Sequence, residues 1–220
     1  MERRSLDSVI GFRPVAVIFD MDGVLADTEP RNEQALATVL ARRGARMSDD
    51  EYRGLVGQSN DASWAWITQR FGLVDATADL QSEYVVEVLP LLSTVPPSPG
   101  AVALVGELRT AGIRLGVASS SPRPAVEAVL GALGVAGSFD VVVSGEEVSA
   151  GKPAPDIFHL AAARLDVPPG GCVVIEDSPH GIEGARRAGM FTIALRTRYT
   201  SGQELRADAI IDSLEELTLE

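Results

Sequence analysis

Short apolar runs that end in polar or charged residues, separated by longer amphipathic stretches, constrain this chain more than any other feature. Residues 15–19, 114–118, 140–143, 172–176 and 192–195 read as strands, with 209–211 as a weaker sixth. Near-continuous apolar runs suit strands covered on both faces, as in a parallel sheet. Helical patterns lie between them at 100–111, 124–133, 156–165 and 179–188. The alternation predicts an α/β fold, a doubly wound Rossmann-like parallel sheet.

Residues 32 to 96 break this rhythm. They contain no convincing strand and read as four helices, at 32–43, 49–56, 61–71 and 77–92. Ser48 and Glu51 have capping-box spacing, and Gly44 and Gly72 sit where helices should stop. Pro96-Pro97-Ser98-Pro99-Gly100 then resets the chain. The expected organisation is an α/β core from 1–31 and 97–220, with a helical-bundle cap domain inserted at 32–96 and joints near Pro30 and Pro96.

Open parallel sheets bind ligands beyond the carboxyl ends of their strands. The first strand ends in Asp20 and Asp22, the second in Ser119-Ser120-Ser121, and the fourth in Glu176-Asp177-Ser178; Lys152 follows the third. Taken singly, each has an ordinary explanation. A lone aspartate after a strand caps a turn, and Ser178 with Pro179 starts a helix. Together they fall in order at ends that share one cleft. Asp20, Asp22, Glu176 and Asp177 would bring together four negative charges against one lysine, the only lysine in a chain whose Lys and Arg total 19. A hard divalent cation with oxygen ligands resolves that imbalance, and Mg²⁺ suits a few carboxylates with phosphate and water. No His and Cys set has zinc spacing.

The segments 19–28, 117–121, 151–158 and 175–178 resemble the four motifs of the haloacid dehalogenase-like hydrolase superfamily, nearest its branch of β-phosphoglucomutase and sugar-phosphate phosphatases with a helical cap. The resemblance covers essentially the whole chain. It implies Asp20 as nucleophile forming an aspartyl-phosphate, and Asp22 as general acid and base. Ser119 would bond a phosphoryl oxygen, and Lys152 would neutralise the phosphoryl group. Mg²⁺ would be held by the Asp20 carboxylate, the Asp22 backbone carbonyl and Asp177, with Glu176 helping directly or through water. Haloacid dehalogenases lack the second aspartate, so Asp22 argues for phosphoryl chemistry.

Relatives that are mutases use a His after the first motif and a cap Arg that grips a second phosphate; the corresponding positions here are Asn32 and Asn60. That departure favours hydrolysis of a small phosphate monoester over a hexose-phosphate mutase. A non-catalytic phospho-ligand binder would have lost Asp20, Asp22 or Lys152. Substrate-facing candidates are Ser120, Asn32, Gly57, Gln58, Ser59, Asn60, Trp64 and Arg123, with at most one of Trp64 and Trp66 facing the cleft.

A net charge of -12 with no basic stripe argues against nucleic acid and anionic membranes as partners. The single Cys172, in an apolar run, cannot form an internal disulfide and reads as a small buried hydrophobe. No signal peptide or transmembrane run is evident. These features predict a cytoplasmic enzyme, a monomer or weak homodimer, acting on a small phosphorylated metabolite.

Overall fold

A computed structural model describes residues 3–56, 58 and 60–219. Six parallel strands form the central sheet: β2 (Ala16–Phe19), β3 (Arg114–Ser119), β4 (Val141–Ser144), β5 (Cys172–Glu176), β6 (Phe191–Leu195) and β7 (Ala209–Ile211). Their order is β4-β3-β2-β5-β6-β7. β2 lies between β3 and β5, with Phe19 beside Val117 on one side and Ile175 on the other. The chain moves outward from β2 to β3 and β4, then returns to β5. That reversal places the binding crevice at the carboxyl end of β2.

Alternation along the strands divides the core. Val17, Phe19, Val117, Val173 and Ile175 face helices α6 (Ala101–Thr110) and α7 (Arg123–Ala132). Ile18, Ala118, Cys172 and Val174 face α8 (Asp156–Leu165) and α9 (Pro179–Arg187). Cys172 is fully buried, as its apolar run implied, and burial pushes its thiol up to about 11. Three short elements escaped the sequence reading: β1 (Arg4–Ser5) pairs with β8 (Leu217–Thr218), and α1 (Leu6–Ile10) follows β1. Their brevity leaves no periodic pattern to read.

Four helices follow β2: α2 (Glu29–Ala41), α3 (Asp49–Leu55), α4 (Asn60–Phe71) and α5 (Thr77–Leu92). They bury a cluster of their own, containing Leu36, Leu40, Tyr52, Trp64, Ile67 and Leu80. The Ser48 capping box forms, with the Glu51 carboxylate accepting from the Ser48 N–H at 2.9 Å. Arg42 pairs with Glu83 and Glu87 on the outer side, tying α2 to α5.

Pro30 lies in the first turn of α2, where its missing N–H costs no hydrogen bond, so a boundary at residue 32 would cut this helix. The chain leaves the core through Ala26–Thr28 and returns at Pro97 and Ser98. Those crossings lie side by side, with Ser98 N–H donating to the Leu25 carbonyl at 2.9 Å. No described helix is long and apolar enough to cross a membrane.

Candidate active site

The carboxyl ends of β2, β3 and β5, the loop before α8 and the inner faces of α2–α5 enclose one cavity of about 190 Å³. Lys152 is buried at its base. Its Nζ donates to Asp20 Oδ1 at 2.6 Å, Glu176 Oε1 at 2.7 Å and the Ala118 carbonyl at 2.9 Å. All three ammonium protons are thus placed. The ammonium stays protonated because the two carboxylates outweigh the desolvation that opposes its charge.

Asp20, Glu176 and Asp177 each offer a carboxylate oxygen, all within 4.8 Å of one another, and all three residues are buried. Burial raises the Asp20 carboxyl well above the usual carboxylate range, Lys152 pulls against it, and Glu176 and Asp22 push it further up. Asp177 is raised first by burial, then by Glu176 and Asp20. One lysine therefore does not balance the cluster. Hard oxygen donors at this spacing, carrying surplus negative charge, fit a divalent cation. Two glycines keep the cluster compact. A Cβ on Gly23, where φ is 78°, would lie 2.2 Å from Asp177 Oδ2, and one on Gly181 would lie 1.7 Å from Glu176 Oε1.

Glu176 also fixes its own loop, its Oε2 accepting from the Ser178 N–H at 2.9 Å and hydroxyl at 3.0 Å. Ser178 in turn accepts from the Gly181 N–H at 3.0 Å, so the expected helix start coexists with the site.

The Asp22 carboxylate is outside the three-acid group. Its Oδ1 accepts from the Thr28 hydroxyl and its Oδ2 from the Ser121 hydroxyl at 2.7 Å. The Ser119 hydroxyl is fully buried beneath, 3.4 Å from the same Oδ2, and accepts from the Ser121 N–H. Ser120 and Ser121 form the wall.

Of the substrate-facing candidates, Ser120, Asn32, Gln58, Asn60 and Trp64 line the cavity; Gly57 and Ser59 lie outside the described residues. Trp66 is not in the lining and packs edge-on to Phe71. Arg123 is a correction. Its guanidinium is drawn to Glu147 and the Val142 carbonyl, away from the cavity, because the acidic turn after β4 lies beside the start of α7.

Glu29, Tyr52 and Tyr84 are among the lining residues that were missed. Burial pushes the carboxyl of Glu29 up to about 7, although Tyr52 donates to it at 2.6 Å. Tyr84 donates to Asn32 Oδ1 at 3.0 Å. Glu29 was legible, since it directly follows the first motif. The tyrosines lie on α3 and α5, and nothing local marks them.

A family model described as haloacid dehalogenase-like hydrolase matches residues 15–189. The chain belongs to that family. Validoxylamine A 7'-phosphate phosphatase of Streptomyces hygroscopicus subsp. limoneus is 31% identical over 203 residues, 91% of this chain and 94% of that protein. The β-phosphoglucomutase of Bacillus subtilis (strain 168) is 32% identical over 93% of this chain and 92% of its own length. Among solved structures, CbbY from Rhodobacter sphaeroides in complex with phosphate superposes with a TM-score of 0.86 at 33% identity, covering 92% of this chain and 96% of that one. Like other haloacid dehalogenase-like phosphatases, this protein is a hydrolase of phosphate monoesters.

Proposed function

We propose that this hydrolase is a Mg²⁺-dependent phosphatase acting on a small phosphorylated metabolite, a sugar phosphate or a similar monoester, through an aspartyl-phosphate on Asp20. The observation that carries the proposal is the convergence of Asp20, Asp22, Lys152, Glu176 and Asp177 on one cavity. Asp20, Glu176 and Asp177 would hold the cation, with the Asp22 backbone carbonyl. Bound there, the cation would supply the positive charge that keeps Asp20 ionised and neutralises phosphoryl oxygens.

Asp20 attacks phosphorus through one carboxylate oxygen, and the bond to the leaving oxygen breaks. Lys152, fixed by three acceptors, sets the orientation of the nucleophile and carries charge toward the phosphoryl group. Asp22 delivers a proton to the leaving alkoxide. It then takes one from the water that attacks the aspartyl-phosphate, releasing inorganic phosphate and restoring Asp20. The hydroxyls of Thr28 and Ser121 donate to Asp22 and hold its carboxyl in place. A hydroxyl can also turn and accept, which lets the same pair serve the protonated acid. The phosphoryl oxygens fall to Ser120, which lines the cavity, and neighbouring backbone, while Ser119 lies buried beneath them against Asp22.

Water rather than a second sugar hydroxyl is the acceptor, because the cap side of the cavity presents Asn32 and Asn60 and, among the described residues, no cation to retain a bisphosphorylated intermediate. The enzyme works in a reducing cytoplasm as a monomer or weak homodimer. Mg²⁺-dependent release of phosphate from 4-nitrophenyl phosphate, abolished by Asp20→Asn, is expected. An active Asp20→Asn variant overturns the mechanism, and conversion of a hexose 1-phosphate to its 6-phosphate without phosphate release overturns the choice of water.

A further inference from the structure

The cap-side floor of the cavity takes no part in phosphoryl transfer, yet it is built. Tyr52 donates to both the Glu29 carboxylate, at 2.6 Å, and the Glu29 carbonyl, at 3.2 Å. Three residues along α2, Asn32 receives Tyr84, whose ring stands edge-on to Trp64 at 5.8 Å between centroids. All five residues line the cavity. Burial, then the nearby carboxylates, raises both phenols, so they remain donors.

These bonds use one oxygen of Glu29 and the oxygen of Asn32. Glu29 Oε1 and Asn32 Nδ2 make no hydrogen bond to any described residue. The floor therefore presents an open acceptor and an open donor on one helix face, beside apolar and aromatic walls from Leu36, Ile67 and Trp64. A hydroxyl group both donates and accepts, so a polyol satisfies this pair; a phosphate dianion has no proton for Glu29. Lys152 is the only cation among the described lining residues, and its three protons are already placed. The cap arginines Arg42 and Arg43 are paired outside the cavity with Glu83, Glu87 and Asp75. The volume, about 190 Å³, lies below the roughly 300 Å³ at which drug-sized pockets begin.

We infer that Glu29, Asn32, Tyr52 and Tyr84 form a specificity surface for an uncharged, hydroxyl-bearing leaving group, so that the enzyme selects polyol monophosphates and rejects bisphosphates. The inference rests on the phosphatase reading above and names its substrate class. Glu29 and Asn32 touch the leaving group; Tyr52 and Tyr84 position them.

The test is kcat/KM for fructose 1-phosphate, fructose 1,6-bisphosphate and 4-nitrophenyl phosphate, with wild type, Glu29→Gln and Tyr52→Phe. Wild type should prefer the monophosphate over the bisphosphate by about 100-fold or more, the ratio expected when a buried anion lacks its partner. Glu29→Gln should lose at least about tenfold more on fructose 1-phosphate than on 4-nitrophenyl phosphate, mainly through KM, and Tyr52→Phe should lose in the same direction. Equal losses on both substrates would reduce the cluster to a structural tie between helices and overturn the inference. Equal use of the bisphosphate, or no gain of fructose 1-phosphate over the aryl ester, overturns it while leaving the phosphatase reading intact. Failure of wild type on all three substrates overturns both.

Discussion

Replacing Lys152 by methionine tests the electrostatic architecture directly. The ammonium lies 2.6 Å from Asp20 and 2.7 Å from Glu176, and both contacts are buried. At an effective dielectric of about 20, each contact carries a Coulomb attraction of about 6 kcal/mol. Desolvation offsets much of that, and loss of one partner from a buried pair typically costs about 3–5 kcal/mol because a charge is left stranded. Methionine has nearly the same length, so the effect isolates charge from packing. Lys152→Met should therefore unfold about 3–5 kcal/mol more easily at pH 7.5 in EDTA, a fall in Tm of about 6–20 °C for a chain of this size.

The loss has a pH signature. Asp20 and Asp177 are raised in the folded protein, chiefly by burial, so the fold binds more protons there than the unfolded chain does. Stability from such groups is present at low pH and drains away as pH rises through their folded values. Removing the lysine, which pulls Asp20 down, raises Asp20 further. The penalty measured by urea denaturation should thus shrink from pH 7.5 to pH 5. Catalysis should fall by about 10²–10³ in kcat, since a preorganised charge at the phosphoryl site is gone. A variant as stable as wild type at pH 7.5 without metal, with a flat pH profile, would refute this account of the site.

Glu29 supplies a second pH effect. Its carboxyl is raised from 4.5 to about 7, so wild type should lose about 3 kcal/mol relative to Glu29→Gln as pH climbs from below 4.5 through 7; a wild-type minus variant difference that stays constant in urea melts from pH 4.5 to 8 contradicts the burial of that group. Titrating Mg²⁺ into the metal-free enzyme should stabilise it by about 2.7 kcal/mol at a hundred times the dissociation constant, and EDTA should reverse the gain; thermal melts that ignore Mg²⁺ would remove the cation from Asp20, Glu176 and Asp177. Gly23→Ala places a methyl 2.2 Å from Asp177 Oδ2 at a left-handed φ, which itself costs about 1–2 kcal/mol. Loss of the Mg²⁺-induced shift with an unchanged circular dichroism spectrum is the expected outcome, and a full shift would show that Asp177 does not need this approach.

The strand ends were legible because the information is local. An apolar run of five residues closing on Asp20, or on Glu176 and Asp177, announces a buried parallel strand and what stands at its mouth. All six sheet strands were placed within a residue at each end; 192–195 began one residue late, and the weak run at 209–211 proved to be the edge strand β7. The lone lysine was readable through charge balance.

Partners were not legible wherever they depend on packing between distant helices. Arg123 looked like a rim cation until the fold set Glu147 beside it. The Asp22 carboxylate looked like one more acid in the cluster until Thr28 and Ser121 drew it aside.

The motifs at the strand ends carried the resemblance to haloacid dehalogenase-like hydrolases and, through it, phosphoryl transfer; the sequence by itself determined the doubly wound sheet and the four acids and the lysine at its carboxyl edge. Those follow from hydrophobic periodicity and from the geometry of parallel strands, which reaches only along one element at a time. The tertiary structure alone decided which side chains meet across the cavity: Tyr52 on Glu29, Tyr84 on Asn32, Lys152 between Asp20 and Glu176. Such meetings are set by how helices pack, and helix packing leaves no mark in the spacing of the residues it brings together.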